Sequence, residues 1–223
     1  MEIKYRIGYV DEDINQVKKY QRRFKKLGFE VVGYDFEKEM TLQELMNQLY
    51  NSDIDLLMID YKLDESNKVT FNGEAVANEI YENKPLFPHI IFTNKKDDAE
   101  PHVEDWKIIF DKDEIFNEVE EDKEKVNHFI TTLERSIEQY RKHIQKRKDE
   151  ISNILKKGKE HGLNPKEEDT LISLQRELRD LDKSQKKEIP EKLISFEKLE
   201  DLSQTRKEAE QFLLSLIAKN NKE

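Results

Sequence analysis

A chain of 223 residues, 35% of them apolar and 39% charged, has room for one full domain and a smaller second unit, and too little apolar surface for all of it to share one compact core. It has no cysteine, no apolar run of membrane-spanning length and no basic-then-apolar leader, so it reads as a soluble cytoplasmic protein without disulfides or membrane contact. Residues 1–120 carry 16 basic against 27 acidic side chains and 121–223 carry 23 against 22, which excludes the broad positive field of a duplex-DNA binder; no nucleic acid is expected as a partner.

In chain order, Ile3–Val10 reads as a first strand and 13–27 follows with helical spacing. Phe29–Tyr34 is a second strand, 41–50 a helix, Ile54–Asp60 a third strand and 72–82 another helix. His89–Thr93 and Lys107–Asp111 complete the set. The third and fourth strands are apolar enough to be buried on both faces, as in parallel sheets. This alternation predicts an α/β domain with a doubly wound five-stranded parallel sheet, whose right-handed crossovers bring every strand's C-terminal end to one edge. Sites in such sheets form at that edge.

The strand ends carry chemistry. Strand one runs into Asp11, Glu12 and Asp13, strand three ends at Asp60, strand four at Thr93, and strand five runs into Lys112. Clustered carboxylates repel one another, and an oxygen-loving divalent cation of the Mg²⁺ type relieves that repulsion. Asp60 is then suited to attack a phosphoryl group while the metal and Lys112 offset charge on the transferring oxygens, and Thr93 is suited to hydrogen-bond the product.

The strings GYVDED, LLMIDYKL, IIFTN and FDKDEI occur in that order and resemble the four signature segments of bacterial response-regulator receiver domains of the CheY-like kind. The resemblance covers about half the chain. It implies a receiver-like fold in which Asp11 and Glu12 form the acidic pair, Asp60 accepts the phosphoryl group, Thr93 is the conserved hydroxyl and Lys112 the invariant lysine. It also implies Mg²⁺ held by Asp11, Glu12, Asp60 and the backbone carbonyl of Lys62. Several positions depart from the family pattern. Glu12 stands where Asp is commoner, Asn94 where the family has Ala or Gly, and Ile109 at the switch aromatic, with Phe110 beside it. The loop DESNKVTFNG after Asp60 is long and lacks proline, and Lys112 follows Thr93 by only nineteen positions, with Pro101 in between. The fourth helix is therefore expected to be short or broken.

The receiver-like domain is expected to span 1–115 and to fold without the rest. Residues 116–223 read as an all-α extension, a helical hairpin or bundle. With Phe116 as an a position, Val119, Lys123, Val126, Ile130, Leu133, Ile137, Tyr140, Ile144, Arg147, Ile151 and Ile154 follow a coiled-coil heptad on a stalk from about 114 to 157. Gly158, Gly162, Asn164 and Pro165 mark a turn, and Leu171, Leu174, Leu178 and Leu181 a returning helix. Pro190 opens a last helix carrying Leu193, Phe196, Leu199, Leu202, Phe212, Leu213, Leu216 and Ile217. The stripe can be satisfied within one chain or in a homodimer, and these spacings leave both open. His128 and the run RKHIQKRK at 141–148 read as solvated helix surface.

The expected function follows from the resemblance. It is a phospho-accepting receiver of a two-component-type pathway, with a histidine kinase or phosphotransfer protein as donor and a protein target for the helical extension. The alternative is a receiver-like structural adaptor with an impaired phospho-switch. No output enzyme is expected, since 116–223 hold no glycine-rich phosphate loop, metal-ligand spacing or nucleophile elbow.

Overall fold

The computed structural model describes residues 3–117 and 122–181. Strands β1 (Tyr5–Val10), β2 (Phe29–Gly33), β3 (Leu56–Ile59), β4 (His89–Thr93) and β5 (Ile109–Asp111) form one all-parallel sheet in the order β2-β1-β3-β4-β5. Helices α1 (Ile14–Lys25), α2 (Leu42–Asn51) and α3 (Gly73–Asn83) provide the crossovers. Local chemistry sets their starts: Asp13 accepts from the Asn15 amide at the head of α1, and Thr41 with Glu44 forms a capping box on α2. β3 is buried at every position, as its apolar run requires.

Side chains alternate across the sheet into two cores. One face, with Leu57, Ile59 and Ile91, packs on α2 and α3 through Leu45, Met46, Leu49, Val76 and Ile80. The long loop after Asp60 folds back onto this core through Leu63, Val69 and Phe71. As expected, the fourth helix is short: α4 is a single turn, Lys96–Ala99, and a 3₁₀ turn at Trp106–Ile108 leads into β5.

The other face carries Tyr5, Ile7, Tyr9, Met58 and Phe92, and α1 covers only part of it with Val17, Tyr20 and Phe24. The remainder is closed from beyond residue 115. After the one-turn α5 (Lys112–Ile115) comes α6 (Lys123–His161), which lays Val126, Phe129, Leu133 and Ile137 on the sheet. Phe129 stacks on Phe92 at 5.6 Å and meets Phe110 at 5.2 Å. The division expected at 115/116 thus runs through a continuous core, and the sheet needs α6 to bury this face. The reason is steric: α1 lies beside β2 and β1, and the outer strands need a second helix.

The heptad stripe is therefore divided rather than spent on one coiled-coil partner. Its first half packs on the chain's own sheet. Its second half, Ile144, Ile151 and Ile154, packs on Leu171, Leu174 and Leu178 of α7 (Pro165–Leu181). Within the described residues the stripe is satisfied intramolecularly. The helix starts at Lys123 rather than near 114, Val119 lies outside the described residues, and 39 residues at 1.5 Å each make α6 about 58 Å long. It ends where Gly162 takes φ 73°, a left-handed conformation that favours glycine, and Asn164 and Glu167 exchange hydrogen bonds to start α7.

The end of α7 returns to the base of the sheet. The buried Lys84 ammonium donates to the Arg179 carbonyl at 3.1 Å, and Tyr140 donates to the Leu181 carbonyl while its ring meets Phe87 edge-on at 5.6 Å. Much of the 141–148 run is occupied by ion pairs: Arg141 with Asp55 at 2.6 Å, and Arg147 with Glu177 at 2.8 Å and Glu150 at 2.9 Å. His128 is exposed. The helix expected from Pro190, with Leu193 to Ile217, lies outside the described residues. No helix among the described residues is long and apolar enough to cross a membrane.

Removing a buried phenylalanine from a packed core costs about 3–5 kcal/mol. Phe129→Ala should therefore lower unfolding free energy in a urea titration by that amount, and a chain ended at 115 should fail to give a cooperative transition. A second expectation concerns pH. Burial holds His89 below its ordinary pKa of 6.5, while its Nδ1 donates to the Phe87 carbonyl at 2.9 Å. The unfolded chain therefore takes up this proton first, so the contribution is full above about pH 6.5 and is lost as pH falls below it. Urea midpoints at pH 7 and 5 should differ less in His89→Gln than in the native chain.

Candidate functional site

Register brings the site together. β1 and β3 pair with Val10 opposite Ile59, and the Asp60 amide donates to the Val10 carbonyl at 2.8 Å, so the next residues, Asp11 and Asp60, emerge side by side. β4 and β5 pair with Thr93 opposite Asp111, which puts Lys112 one residue beyond. The Lys112 ammonium spans the two carboxylates, at 3.1 Å from Asp11 Oδ2 and 2.6 Å from Asp60 Oδ1. All four side chains are withdrawn from solvent: Asp11 is 4% exposed, Asp60 8%, Lys112 5% and Thr93 not at all.

The remaining oxygens are held by backbone. Asp11 Oδ1 accepts from the Asp13 amide at 3.0 Å, Asp60 Oδ2 from the Lys62 amide at 2.8 Å, and Thr93 Oγ1 from the Lys95 amide at 3.1 Å. Burial pushes the Asp11 carboxyl up, against the pull of Lys112. Burial also pushes Glu12 up to about 7, with the Asp11 and Asp60 charges adding to it. The cluster thus confines two carboxylates with one ammonium, and places a third carboxylate where its charge is resisted.

This donor set fits a hard divalent ion, because its oxygens are anionic and its negative charge exceeds what Lys112 balances. Among the described residues no three His, Cys, Asp or Glu side chains are grouped so as to hold a metal ion, so Asp11 and Asp60 come together without Glu12 completing such a group.

Two features near the site were not singled out from sequence. Gly73, the first residue of α3, lies against Asp60: its amide donates to the Tyr61 carbonyl at 2.8 Å, and a β-carbon there would stand 2.2 Å from the Asp60 carbonyl oxygen. Tyr9 donates to Asp11 Oδ2. The first had a signal in the glycine that closes the loop, and the second in the polar aromatic inside GYVDED. At the switch position, β5 puts Ile109 on the Thr93 side of the sheet, within the core formed with α2 and α3, and turns Phe110 to the opposite face against Phe129.

No family model and no curated protein matches the chain. Among solved structures it is similar to the response regulator TrrA of Thermotoga maritima in complex with Mg²⁺-BeF, at 21% identity over 56% of this chain and 98% of that one, with a TM-score of 0.40. It is likewise similar to the non-phosphorylated HemR receiver domain of Leptospira biflexa, at 20% identity over 60% and 94% of the two chains, TM-score 0.42. A CheY-like receiver domain protein of Methanospirillum hungatei matches at 15% identity over 60% and 98%, TM-score 0.40. At such identities and TM-scores these likenesses assign no role to this chain.

The contact at Gly73 yields a test. Forcing a methyl group against the Asp60 carbonyl is overpacking, which costs about 1–3 kcal/mol. Gly73→Ala should lower the unfolding free energy by that amount, and a value unchanged within error would show that the α3 start shifts freely.

Proposed function

We propose that this chain is a phospho-accepting receiver protein of a two-component-type signalling pathway, with Asp60 as acceptor and a histidine kinase or phosphotransfer protein as donor. The observation that carries the reading is the Lys112 ammonium held between the buried Asp11 and Asp60 carboxylates at the end of a parallel sheet, with buried Thr93 on the next strand. A structural ion pair needs one carboxylate; here a second one is confined beside it, at the edge where such sheets place their chemistry.

In the proposed reaction an Asp60 carboxylate oxygen attacks the donor's phosphorus. A P–O bond forms, the P–N bond of the phosphohistidine breaks, and its electron pair leaves on the imidazole. Lys112 is placed to move its charge onto the transferred oxygens, and the Thr93 hydroxyl to donate to one of them. Asp11, Glu12, Asp60 and the Lys62 carbonyl are the groups we assign to holding Mg²⁺, which when bound supplies further charge neutralisation. The role is that of a signalling protein rather than an enzyme acting on a separate substrate. The α6–α7 hairpin supplies a surface for contact with a protein target.

The single-turn α4 and the aliphatic Ile109 favour a second reading, a receiver-like adaptor whose surface does not switch. The two readings separate on one measurement. With acetyl phosphate and Mg²⁺, intact mass should show one added phosphoryl group in the native chain and none in Asp60→Asn, and Lys112→Met should slow its appearance at least tenfold, the order of effect for one electrostatic group. Absence of any adduct in the native chain favours the adaptor.

A further inference from the structure

Tyr9 is fully buried on β1, two residues before Asp11. Its hydroxyl donates to Asp11 Oδ2 at 2.5 Å, the same oxygen that accepts from Lys112 Nζ. Its ring also forms part of an aromatic wall around that ammonium: Nζ lies 5.4 Å from the Tyr9 centroid, 5.7 Å from Phe92 and 5.9 Å from Tyr20. The rings lock edge to face, Tyr9 on Tyr20 at 5.6 Å and on Phe92 at 6.2 Å. Tyr9 therefore hydrogen-bonds a carboxylate of the site and flanks its ammonium. Packing alone asks only for the ring, which phenylalanine would supply. The hydroxyl is a buried donor, and its acceptor is a carboxylate of the site.

Lys112 divides its ammonium between Asp11 and Asp60. A phosphoryl group on Asp60 brings anionic oxygens that compete for the ammonium, and whatever charge Lys112 moves to them is withdrawn from Asp11. A buried carboxylate that loses a charged donor is destabilised or turns away. We propose that Tyr9 is a positioning residue for phosphoryl transfer: its hydroxyl keeps the Asp11 carboxylate anchored as Lys112 turns to the phosphoryl oxygens, and so preserves the Mg²⁺ ligand. The inference rests on the receiver reading of Asp60 and adds to it a hydroxyl on the first strand.

Tyr9→Phe in the full chain tests it, because the ring and its packing are kept. Titration with Mg²⁺ alone, followed by calorimetry, should show half-saturation raised about tenfold, the order expected for one hydrogen bond to a charged group. Phosphorylation by acetyl phosphate at a fixed Mg²⁺ concentration below half-saturation should slow by a similar factor. A purely structural role would lower the melting temperature and leave Mg²⁺ affinity and phosphorylation rate unchanged; that result overturns the proposal. If the native chain binds Mg²⁺ but takes no phosphoryl group, the receiver reading fails, and weaker Mg²⁺ binding in Tyr9→Phe still supports the role of the hydroxyl. If the native chain binds no Mg²⁺, both fall. Should the variant not fold, the native protein decides: the Tyr9 hydroxyl proton, followed by NMR, should persist when Mg²⁺ and beryllofluoride are added, and its disappearance would refute the anchoring role.

Discussion

Two carboxylates share one ammonium in a space largely withdrawn from solvent, and this constraint orders much of the molecule. Asp11 and Asp60 come from adjacent strands, but Lys112 comes from β5, two strands beyond β3. Bringing them within hydrogen-bond distance requires the β1–β3–β4–β5 order and a tight turn at the end of β5. Neither charge is tolerable in a low dielectric without the other, and one partner alone would be stranded at a cost of several kcal/mol. The edge of the sheet is thus held in register by electrostatics as well as by its ladder.

The dry wall around Lys112 depends in turn on α6. Tyr9, Tyr20 and Phe92 flank the ammonium, Phe92 stacks on Phe129, and Phe116 meets Phe24, Phe92 and Phe129. One helix therefore does two jobs. Its first turns roof the site's hydrophobic side, and the same rod continues beyond the sheet to form a hairpin with α7.

The hairpin is also fastened at its far end. α7 brings the Arg179 and Leu181 carbonyls back to Lys84 and Tyr140 beneath the sheet. By contrast, the region between β4 and β5 is reduced to a single turn and a 3₁₀ segment. This short segment lies on the side of the sheet away from α6.

Sequence by itself determined the five strands, their parallel order of use and the acid, hydroxyl and lysine at their ends. The reason is local: strand runs are apolar and short, and a chemistry-bearing residue directly after such a run can only emerge at the sheet edge. It also marked a turn by Gly158, Gly162, Asn164 and Pro165, of which Gly158 in fact lies inside α6, and it marked the buried leucines of α7, because turn residues and heptad spacing are local properties. What it could not determine was who covers the stripe of α6. Val126, Leu133 and Ile137 have the same spacing whether they meet a partner helix or a sheet, and only the uncovered face beside α1 decides between them. The same holds for Tyr9. Whether its hydroxyl meets water, a carbonyl or Asp11 depends on how β1, β5 and α1 close around it, a relation between residues a hundred positions apart.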